Sequence, residues 1–432
     1  MSTRFVNIDR NTPMLLPPDL REWVQHDDLV HFVVEALALL DVSSASVNHR
    51  GTGSEQYPPG MMLGLLIYSY AQGLFSSRQI ERATYQNLSV RYLAANTHPD
   101  HDTIAKFRRD NGGLIRSAFV QLLQLAQAAG LVRPGAIALD GTKIGAATNK
   151  RPNLTYAQVQ AQLGQLDAQV AALLERAETA DQQGEPEGQL PAELAGVEQR
   201  RARLLAAKAQ LEQQALARHR QREDERDQAP PGAKRSSLAP QPKAQDRINM
   251  TDGESTITPT RNGFIQGYNA QLAVSTDSGL IVAADVVRDT SDIKQLQPMV
   301  GQVLANVGAP THVLVDTGYE NVLQIQAVEA GCPTIVLCPP ARSGNANPAT
   351  RAKRRWRERS KVLREQMRQR LLTPAGKALY GLRQTTVEPA IGIIKAALGF
   401  RNFRLRGLAK VRIEWTLVSL ALNCRRLALR WN

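Results

Sequence analysis

Three acidic residues have the types and surroundings needed for joint chemistry: Asp140, Asp316 and Glu388. Each aspartate closes a short apolar run, 136–139 for the first and 311–315 for the second, and such runs between turn residues predict buried strands. Two aspartates at strand ends and a glutamate on a helix would supply the carboxylate oxygens with which two divalent cations cleave a phosphodiester. Taken alone, each aspartate could equally be a cap or a turn residue.

The elements around these acids predict how they are positioned. Asp140 is expected at the end of its strand, because Gly141 follows, and Glu388 is expected to open a helix over 387–395. Strands are predicted over 267–275 and 279–287, joined as a hairpin, followed by helix 293–307, the strand of Asp316, helix 321–330 and strand 333–338. This order, a three-stranded meander and then helix, strand, helix, strand, predicts an α/β ribonuclease-H-like catalytic domain over 131–150 and 248–432.

Composition points to a polyanionic partner. The 432 residues are 43% hydrophobic, which predicts a globular protein, and carry a formal net charge of +13. Nucleic acid is the commonest partner of so basic a chain, although a solvated basic surface is the alternative. Three cysteines without paired spacing argue against structural zinc and disulfides. No apolar stretch suits a membrane span or a signal peptide, so a cytoplasmic, nucleoid-associated protein without a membrane partner is expected.

The chain before Asp140 predicts an all-helical N-terminal domain over residues 1–130. Several short helices carry cations, Arg78 and Arg82 among them, which is typical of a helix-turn-helix-like DNA-binding bundle. Ordinary helical packing with exposed arginines would give the same pattern. His98 and His101 could ligate a metal, but a turn leading to a helix cap accounts for them more simply.

Residues 153–222 interrupt the catalytic domain. Apolar residues there alternate at spacings of four and three, beginning with Val159, Leu163 and Leu166, which predicts a coiled-coil hairpin. It could pair subunits, brace DNA or act as a spacer. Residues 227–247, rich in Pro, Lys, Ser and Gln, predict a flexible linker.

Two basic segments flank Glu388. Residues 351–372 contain ten Lys or Arg, including Arg354 and Arg355, and residues 401–406 contain Arg401, Arg404 and Arg406. Such runs are often only solvated surface. Beside three carboxylates we expect them to follow a DNA backbone, with affinity that falls steeply as salt rises.

At these residues the chain resembles bacterial insertion-sequence transposases of the DDE superfamily, in particular the insertion-sequence-1182 group. The resemblance spans most of the chain. The segments that carry it are Gly51-Thr52-Gly53-Ser54-Glu55-Gln56-Tyr57-Pro58-Pro59, Asp140-Gly141-Thr142-Lys143, Gln266-Gly267-Tyr268-Asn269-Ala270-Gln271, Val315-Asp316-Thr317-Gly318-Tyr319 and Thr386-Val387-Glu388-Pro389.

The resemblance implies roles for individual residues. Asp140, Asp316 and Glu388 would be the metal-binding catalytic triad. Tyr380, Arg383, Glu388 and Lys395 match the Tyr-Arg-Glu-Lys signature, which implies that Tyr380, Arg383 and Lys395 bind DNA, Lys395 at a donor-end phosphate. One departure is that four residues separate Arg383 from Glu388, where the broader superfamily has three.

The implied function is cleavage at transposon ends and strand transfer into target DNA, using two Mg²⁺ ions or Mn²⁺ in their place. The implied partners are double-stranded DNA, both the terminal inverted repeats and the target, and a second copy of the chain in a homodimer on DNA. Two alternatives stay open: a ribonuclease-H-like nuclease without strand transfer, and an inactive DNA-binding relic. Asp252 and Asp285 are rival acidic positions.

Overall fold

The computed structural model describes residues 19–47, 55–183, 190–227, 240–260, 263–340 and 351–431. The helices are α1 (Leu29–Leu39), α2 (Pro59–Ala71), α3 (Ser77–Gln86), α4 (Leu88–Leu93), α5 (His101–Asp110), α6 (Gly112–Ala128), α7 (Tyr156–Gln183), α8 (Leu190–Asp227), α9 (Leu296–Val307), α10 (Val322–Gly331), α11 (Arg351–Leu372), α12 (Pro374–Gly392) and α13 (Leu408–Trp431). The strands are β1 (Ala136–Gly145), β2 (Asn153–Thr155), β3 (Arg247–Asn249), β4 (Thr256–Thr260), β5 (Gly263–Ser275), β6 (Ile281–Val287), β7 (His312–Leu314) and β8 (Ile335–Leu337).

Six helices, α1 to α6, form the N-terminal part of the described chain. Polar residues cap several of them, because a side-chain oxygen can accept the backbone N–H groups that a first turn leaves unpaired. Asp28 caps α1, Asn87 caps α4 and Asp100 caps α5. The helical character predicted for this region is confirmed.

The rest of the described chain is built on one mixed sheet of six strands. Its order is β4-β5-β1-β7-β8, with β6 pairing the same edge of β5 as β4. β5 runs antiparallel to β1, β4 and β6, whereas β7 is parallel to β1 and β8 is parallel to β7. The order of meander, helix, strand, helix and strand is consistent with the ribonuclease-H-like prediction, and β4 is an addition that was not predicted.

The two long helices α7 and α8 interrupt the chain between β1 and the rest of the sheet. They run antiparallel, since Arg201 pairs with Asp167 and Arg176 with Glu193. Val159, Leu163 and Leu166 are buried against residues of α8 in a small core separate from the main one. The two-stranded sheet β2-β3 closes the base of this hairpin.

The C-terminal helix α13 joins the two halves of the molecule. It packs against β6 of the sheet and against α2 and α6 of the helical region, and it contributes the fully buried Trp415 to one continuous core. The Trp415 indole N–H donates to the Gln271 carbonyl of β5 at 2.9 Å. The helical bundle and the sheet therefore share a core.

Two predicted boundaries near the acids are wrong. β1 does not end at Asp140 but continues to Gly145, because β5 pairs with it along that whole length. α12 does not begin at Val387 but at Pro374, where Thr373 accepts the Gly376 N–H as N-cap. Beyond α12 the chain makes a π-helical turn, Ile393–Ala397.

Some predictions lie outside the described residues: the first 18 residues of the N-terminal domain, residues 48–54, and 228–239 of the linker. Within the described ranges, none of the helices combines the length and the apolar character that a bilayer crossing requires.

Candidate active site

The register of the sheet brings Asp140 and Asp316 together. β1 and β7 are parallel, and their last pair is Ala138 with Leu314. Each aspartate follows two residues after its member of that pair, so both side chains leave the same face of the sheet at the same level. Strand pairing thus places side by side two residues that are 176 positions apart in the chain.

Asp316 also has a local structural role. Its carboxylate accepts the Gly318 N–H at 2.9 Å and caps the short 3₁₀ turn Thr317–Tyr319. The cap uses one oxygen, and the side chain is 42% exposed, so the carboxylate stays accessible. Asp316 can therefore cap the turn and still offer its carboxylate to the candidate active site.

Glu388 reaches the same place from α12, which packs on β1 and β5. Its neighbours Val387 and Ala390 are fully buried, whereas the Glu388 side chain is 49% exposed. Burial of the flanking apolar residues fixes the rotation of the helix, and this rotation directs the carboxylate along the sheet surface toward the ends of β1 and β7.

The guanidinium of Arg383 lies among the three acids. Its Nη2 is 3.0 Å from Asp140 Oδ2 and 3.9 Å from Asp316 Oδ2, and its Nη1 is 3.1 Å from Glu388 Oε1. The Arg383 side chain is only 11% exposed, and its Nε is buried without a hydrogen-bond partner. The extra residue between Arg383 and Glu388 does not prevent their contact.

Burial and neighbouring charges change the ionisation of this cluster. Burial raises the pKa of Asp140 to about 6; Arg383 opposes this rise and Asp316 adds to it. Burial opposes protonation of Arg383, but the negative charges of Asp140, Asp316 and Glu388 outweigh it and raise the pKa of Arg383. Asp140 is therefore the acid that most needs a cation when ionised.

Tyr380 supports the site through the backbone. Its hydroxyl donates to the Val315 carbonyl at 3.3 Å, directly before Asp316, and burial raises its pKa. In this position the hydroxyl holds the end of β7 beside Asp316. Tyr380 is half-buried, and its role on DNA stays a prediction.

The predicted DNA-binding residues are spread along the neighbouring surface. Arg401, Arg404 and Arg406 are exposed, and the Arg406 Nε donates to the Ala147 carbonyl at 3.3 Å, just beyond β1. Lys395 is half-buried in the π-helical turn. Arg354 and Arg355 belong to α11, but their side chains lie outside what the structure describes.

Sequence reasoning missed a group of polar side chains around Lys143 of β1. Asp292 Oδ1 accepts from Asn269 at 2.7 Å and from Gln271 at 2.6 Å, and it is 3.7 Å from Lys143 Nζ. Tyr319, after Asp316, donates to Gln271. Asn269 and Gln271 could have been recognised as site residues, because they are polar residues at alternate positions of the otherwise apolar β5. Nothing in the local sequence marks Asp292.

The rival acids have other partners. Asp252 accepts from the Tyr268 hydroxyl at 2.7 Å and from the Gly407 N–H at 3.2 Å. Asp285 pairs with Arg412 at 2.8 Å. Both stabilise contacts between the sheet and the start of α13. His98 and His101 each have a hydrogen-bond partner on α3, Thr84 and Glu81 respectively.

Comparison with known families gives two matches. The family model described as the Transposase DDE domain matches residues 236–424, and the one described as a transposase domain (DUF772) matches residues 18–110. Together they support a DDE transposase. The first span contains Asp316 and Glu388 but begins after Asp140. Neither the curated proteins nor the solved structures give a match.

The similarity to the Transposase DDE domain raises the question whether the acids could hold a metal. In chemistry they fit, since three carboxylates offer the oxygen ligands that hard divalent cations prefer. The distances between the three carboxylates do not fit one shared metal ion. Across the described ranges no three Asp, Glu, His or Cys side chains are close enough to share one ion, and Arg383 stands between the three acids.

Proposed function

We propose that the protein is an insertion-sequence DDE transposase, of the 1182 group, that cleaves DNA at the ends of its element and transfers the freed 3′ ends into target DNA. Asp140, Asp316 and Glu388 are its catalytic acids. The observation that carries this proposal is the contact of all three carboxylates with one guanidinium. The strand order and the two transposase-domain matches support a ribonuclease-H-like catalytic domain.

In this proposal the three acids would hold divalent metal, Mg²⁺ or Mn²⁺, once Arg383 no longer lay between them. The bound metal would supply Lewis-acid activation of a phosphodiester and neutralise charge that develops on oxygen. Asp140, buried on the central strand, would hold the metal from a fixed position. Asp316 and Glu388, more exposed, approach it from β7 and α12.

Arg383 has two roles in turn. Before metal binds, its positive charge keeps three carboxylates close together without mutual repulsion forcing them apart. Once metal has displaced it, the planar guanidinium of Arg383, with five donors, would be suited to bind a phosphate of the DNA strand. Its Nε–H has no hydrogen-bond partner among the described residues. Tyr380 keeps the backbone before Asp316 in place throughout.

The partners follow from the same chemistry. The exposed Arg401, Arg404 and Arg406 beside β1 offer a basic surface for duplex DNA, both transposon end and target. Two ends must be brought together for one transposition event, so we propose that the protein acts as a homodimer on DNA.

The deciding experiment supplies a pre-cut element end with a free 3′-hydroxyl, together with a target plasmid and Mg²⁺. The end sequence comes from the inverted repeats that flank the reading frame. Joined product is expected from the wild type and none from Asp140→Asn, Asp316→Asn or Glu388→Gln. Cleavage of an uncut end without any joining would instead make the protein a nuclease.

Asp285→Asn is the matched control, because Asp285 is an acid of the sheet that is as buried as Asp140 and pairs with Arg412 away from the cluster. It should keep joining activity. Loss of joining in this variant, with joining retained by Asp316→Asn, would remove Asp316 from the triad.

A further inference from the structure

The helices α9 and α10 present a surface without charge. α9 contains no charged residue over its whole length. In α10 the only charged residue is Glu329, which is half-buried and pairs with Arg370 and with the Val336 N–H. The exposed positions of both helices are glutamine, alanine, glycine, proline and leucine. This surface stands out in a chain in which 22% of the residues are charged.

A groove of about 500 Å³ lies between the two helices, and every residue that lines it is uncharged. Gly301, Ala327 and Gly331 keep the groove open because their side chains are small or absent. Leu304, which also lines it, is 37% exposed. The amide of Gln324 bonds backbone groups at the start of α9 through both its oxygen and its nitrogen, so the groove is a fixed part of the fold.

Large apolar side chains stand on the same surface. Ile293, just before α9, is 42% exposed, and Leu323, in the first turn of α10, is 47% exposed. The two lie near each other, since the Asn321 side-chain amide donates to the Ile293 carbonyl at 3.3 Å. Exposed apolar side chains without charges between them are typical of the centre of a protein–protein interface.

Charge decides which partner fits this surface. DNA does not fit, because proteins hold a phosphate backbone with Lys and Arg, and α9 and α10 contain neither. A second copy of the chain does fit. Two copies with a formal net charge of +13 each repel one another, so they associate best through a face that carries no charge. The face also combines a groove with projecting apolar side chains, which a two-fold interface needs on one and the same surface.

We propose that two copies of the chain pair through α9 and α10, around a two-fold axis, with the exposed leucines of each copy against the groove of the other. The inference rests on the proposed function and deepens it, since it assigns a surface to the homodimer. α10 starts six residues after Asp316. Pairing through this surface therefore also sets how far apart the two active sites lie.

The first experiment measures the mass of the full chain by sedimentation velocity over a range of protein concentrations. We expect a monomer–dimer equilibrium for the wild type. Ala327→Glu places a charge in the groove, where the partner copy offers no cation, and should raise the dissociation constant of the dimer by about tenfold or more. At a dilution where the wild type is monomeric, the melting temperature of the variant should equal that of the wild type, because Ala327 is exposed.

Ala206→Glu is the matched control, since Ala206 is also an exposed alanine within a helix but lies on α8 of the coiled-coil hairpin. It should dimerise as the wild type does. Loss of the dimer in Ala206→Glu, with the dimer kept in Ala327→Glu, would place the pairing on the hairpin and overturn the proposal.

The native cysteines locate the interface without any mutation. Cys332 lines the groove and is partly exposed, whereas Cys338 and Cys424 are buried and serve as internal controls. A maleimide should label Cys332 in the dilute monomer, and labelling should slow in proportion to the fraction of dimer as the concentration rises. Because this measurement uses the wild-type protein, it decides the question even if Ala327→Glu does not fold.

Equal labelling of Cys332 in monomer and dimer would overturn the proposal, as would a wild type that stays monomeric when it binds element-end DNA. Protection of Cys332 by DNA in such a monomer would assign the face to DNA instead. If only this surface is wrong, Ala327→Glu dimerises as the wild type does and the triad variants are still inactive in strand transfer. Failure of the proposed function would appear as active triad variants, whatever the mass of Ala327→Glu.

Discussion

Arg383 donates a 3.0 Å hydrogen bond to Asp140 across 243 residues of the chain. The donor lies on a helix near the C-terminus, and the acceptor lies in the middle of the first strand of the sheet. The same guanidinium also contacts Glu388, five residues further along α12. One arginine thus balances the charge of a cluster assembled from three distant segments.

Replacing Arg383 should have two opposite effects: it should destabilise the metal-free protein and strengthen the binding of metal. In Arg383→Gln the acids lose their internal cation, so we expect the metal-free protein to lose about 1–3 kcal/mol of stability at pH 7. We also expect Mg²⁺ to bind about tenfold more tightly, which corresponds to 1.4 kcal/mol. The rise of the melting temperature with Mg²⁺ concentration measures both effects.

The control for this variant is Arg370→Gln, since Arg370 also pairs with an acid, Glu329, but away from the triad. It should lose stability without any change in the response to Mg²⁺. An Arg383→Gln protein whose apparent Mg²⁺ affinity is unchanged or weaker would contradict the view that Arg383 and metal compete for the same carboxylates.

The raised pKa of Asp140 predicts how the stability of the metal-free protein depends on pH. An unfolded Asp ionises near pH 4, whereas folded Asp140 ionises at about 6. Between these values the folded state binds more protons, so unfolding releases a proton and stability falls as pH rises. Asp140→Asn mimics the protonated acid, and should be more stable than the wild type at pH 7 by up to about 3 kcal/mol.

Urea denaturation from pH 4 to pH 8 in the presence of a chelator measures this difference. The gain of Asp140→Asn should disappear near pH 4, where the wild-type carboxyl is also protonated in the folded protein. A variant that is less stable than the wild type at pH 7 would show that the ion pair with Arg383 outweighs the cost of burying the charge.

The sequence predicted the strands and helices that carry the acids better than it predicted where those elements end. Apolar runs bounded by turn residues identified β1, β7 and β8, because burial requires such runs. The glycine after Asp140 suggested a strand end, but pairing with β5 continues through Gly141 to Gly145. Strand ends depend on the partner strand, which lies far away in sequence.

The contacts of the acids could not be predicted from local patterns. The resemblance to the Tyr-Arg-Glu-Lys signature gave Arg383 a role on DNA, whereas its position among three carboxylates follows from the packing of α12 against β1 and β5. Asp292 was missed for the same reason, since it approaches Lys143 from the loop after β6. The placement of Asp140, Asp316 and Glu388 as catalytic residues stays a prediction.

A buried polar network joins the helical region to the basic segment beside β1. Arg108 donates to the Tyr70 hydroxyl at 2.8 Å, and that hydroxyl donates to Glu414 at 3.2 Å. The other Glu414 oxygen accepts the backbone N–H groups of Arg404 and Leu405. Arg108→Met leaves a buried carboxylate without its cation, and should cost about 3 kcal/mol or more of unfolding free energy.

The neighbouring Arg109 is the control, because it is half-exposed and pairs only with Asp110 among the contacts described. Arg109→Met should cost less than about 0.5 kcal/mol. Hydrogen exchange gives a second readout: the amides of Arg404 and Leu405 should exchange faster in Arg108→Met. Slow exchange there, despite the loss of stability, would mean that Glu414 holds the segment without help from Arg108.

Gly141 tests how tightly the strand between Asp140 and Lys143 is surrounded. A Cβ at this position would collide with Asp292 Oδ1 and with Gln271 Nε2. Gln271 cannot move away cheaply, because it also bonds Asn269 and Tyr319. Gly141→Ala should therefore destabilise the protein by about 1–3 kcal/mol, and strand transfer should fall because the displaced strand carries Asp140.

Gly301→Ala, at an open position within α9, should instead stabilise the protein by about 0.5–1 kcal/mol. Chemical denaturation of both variants measures the contrast, and a Gly141→Ala protein as stable as the wild type would show that Asp292 is free to shift and does not hold Lys143 in place.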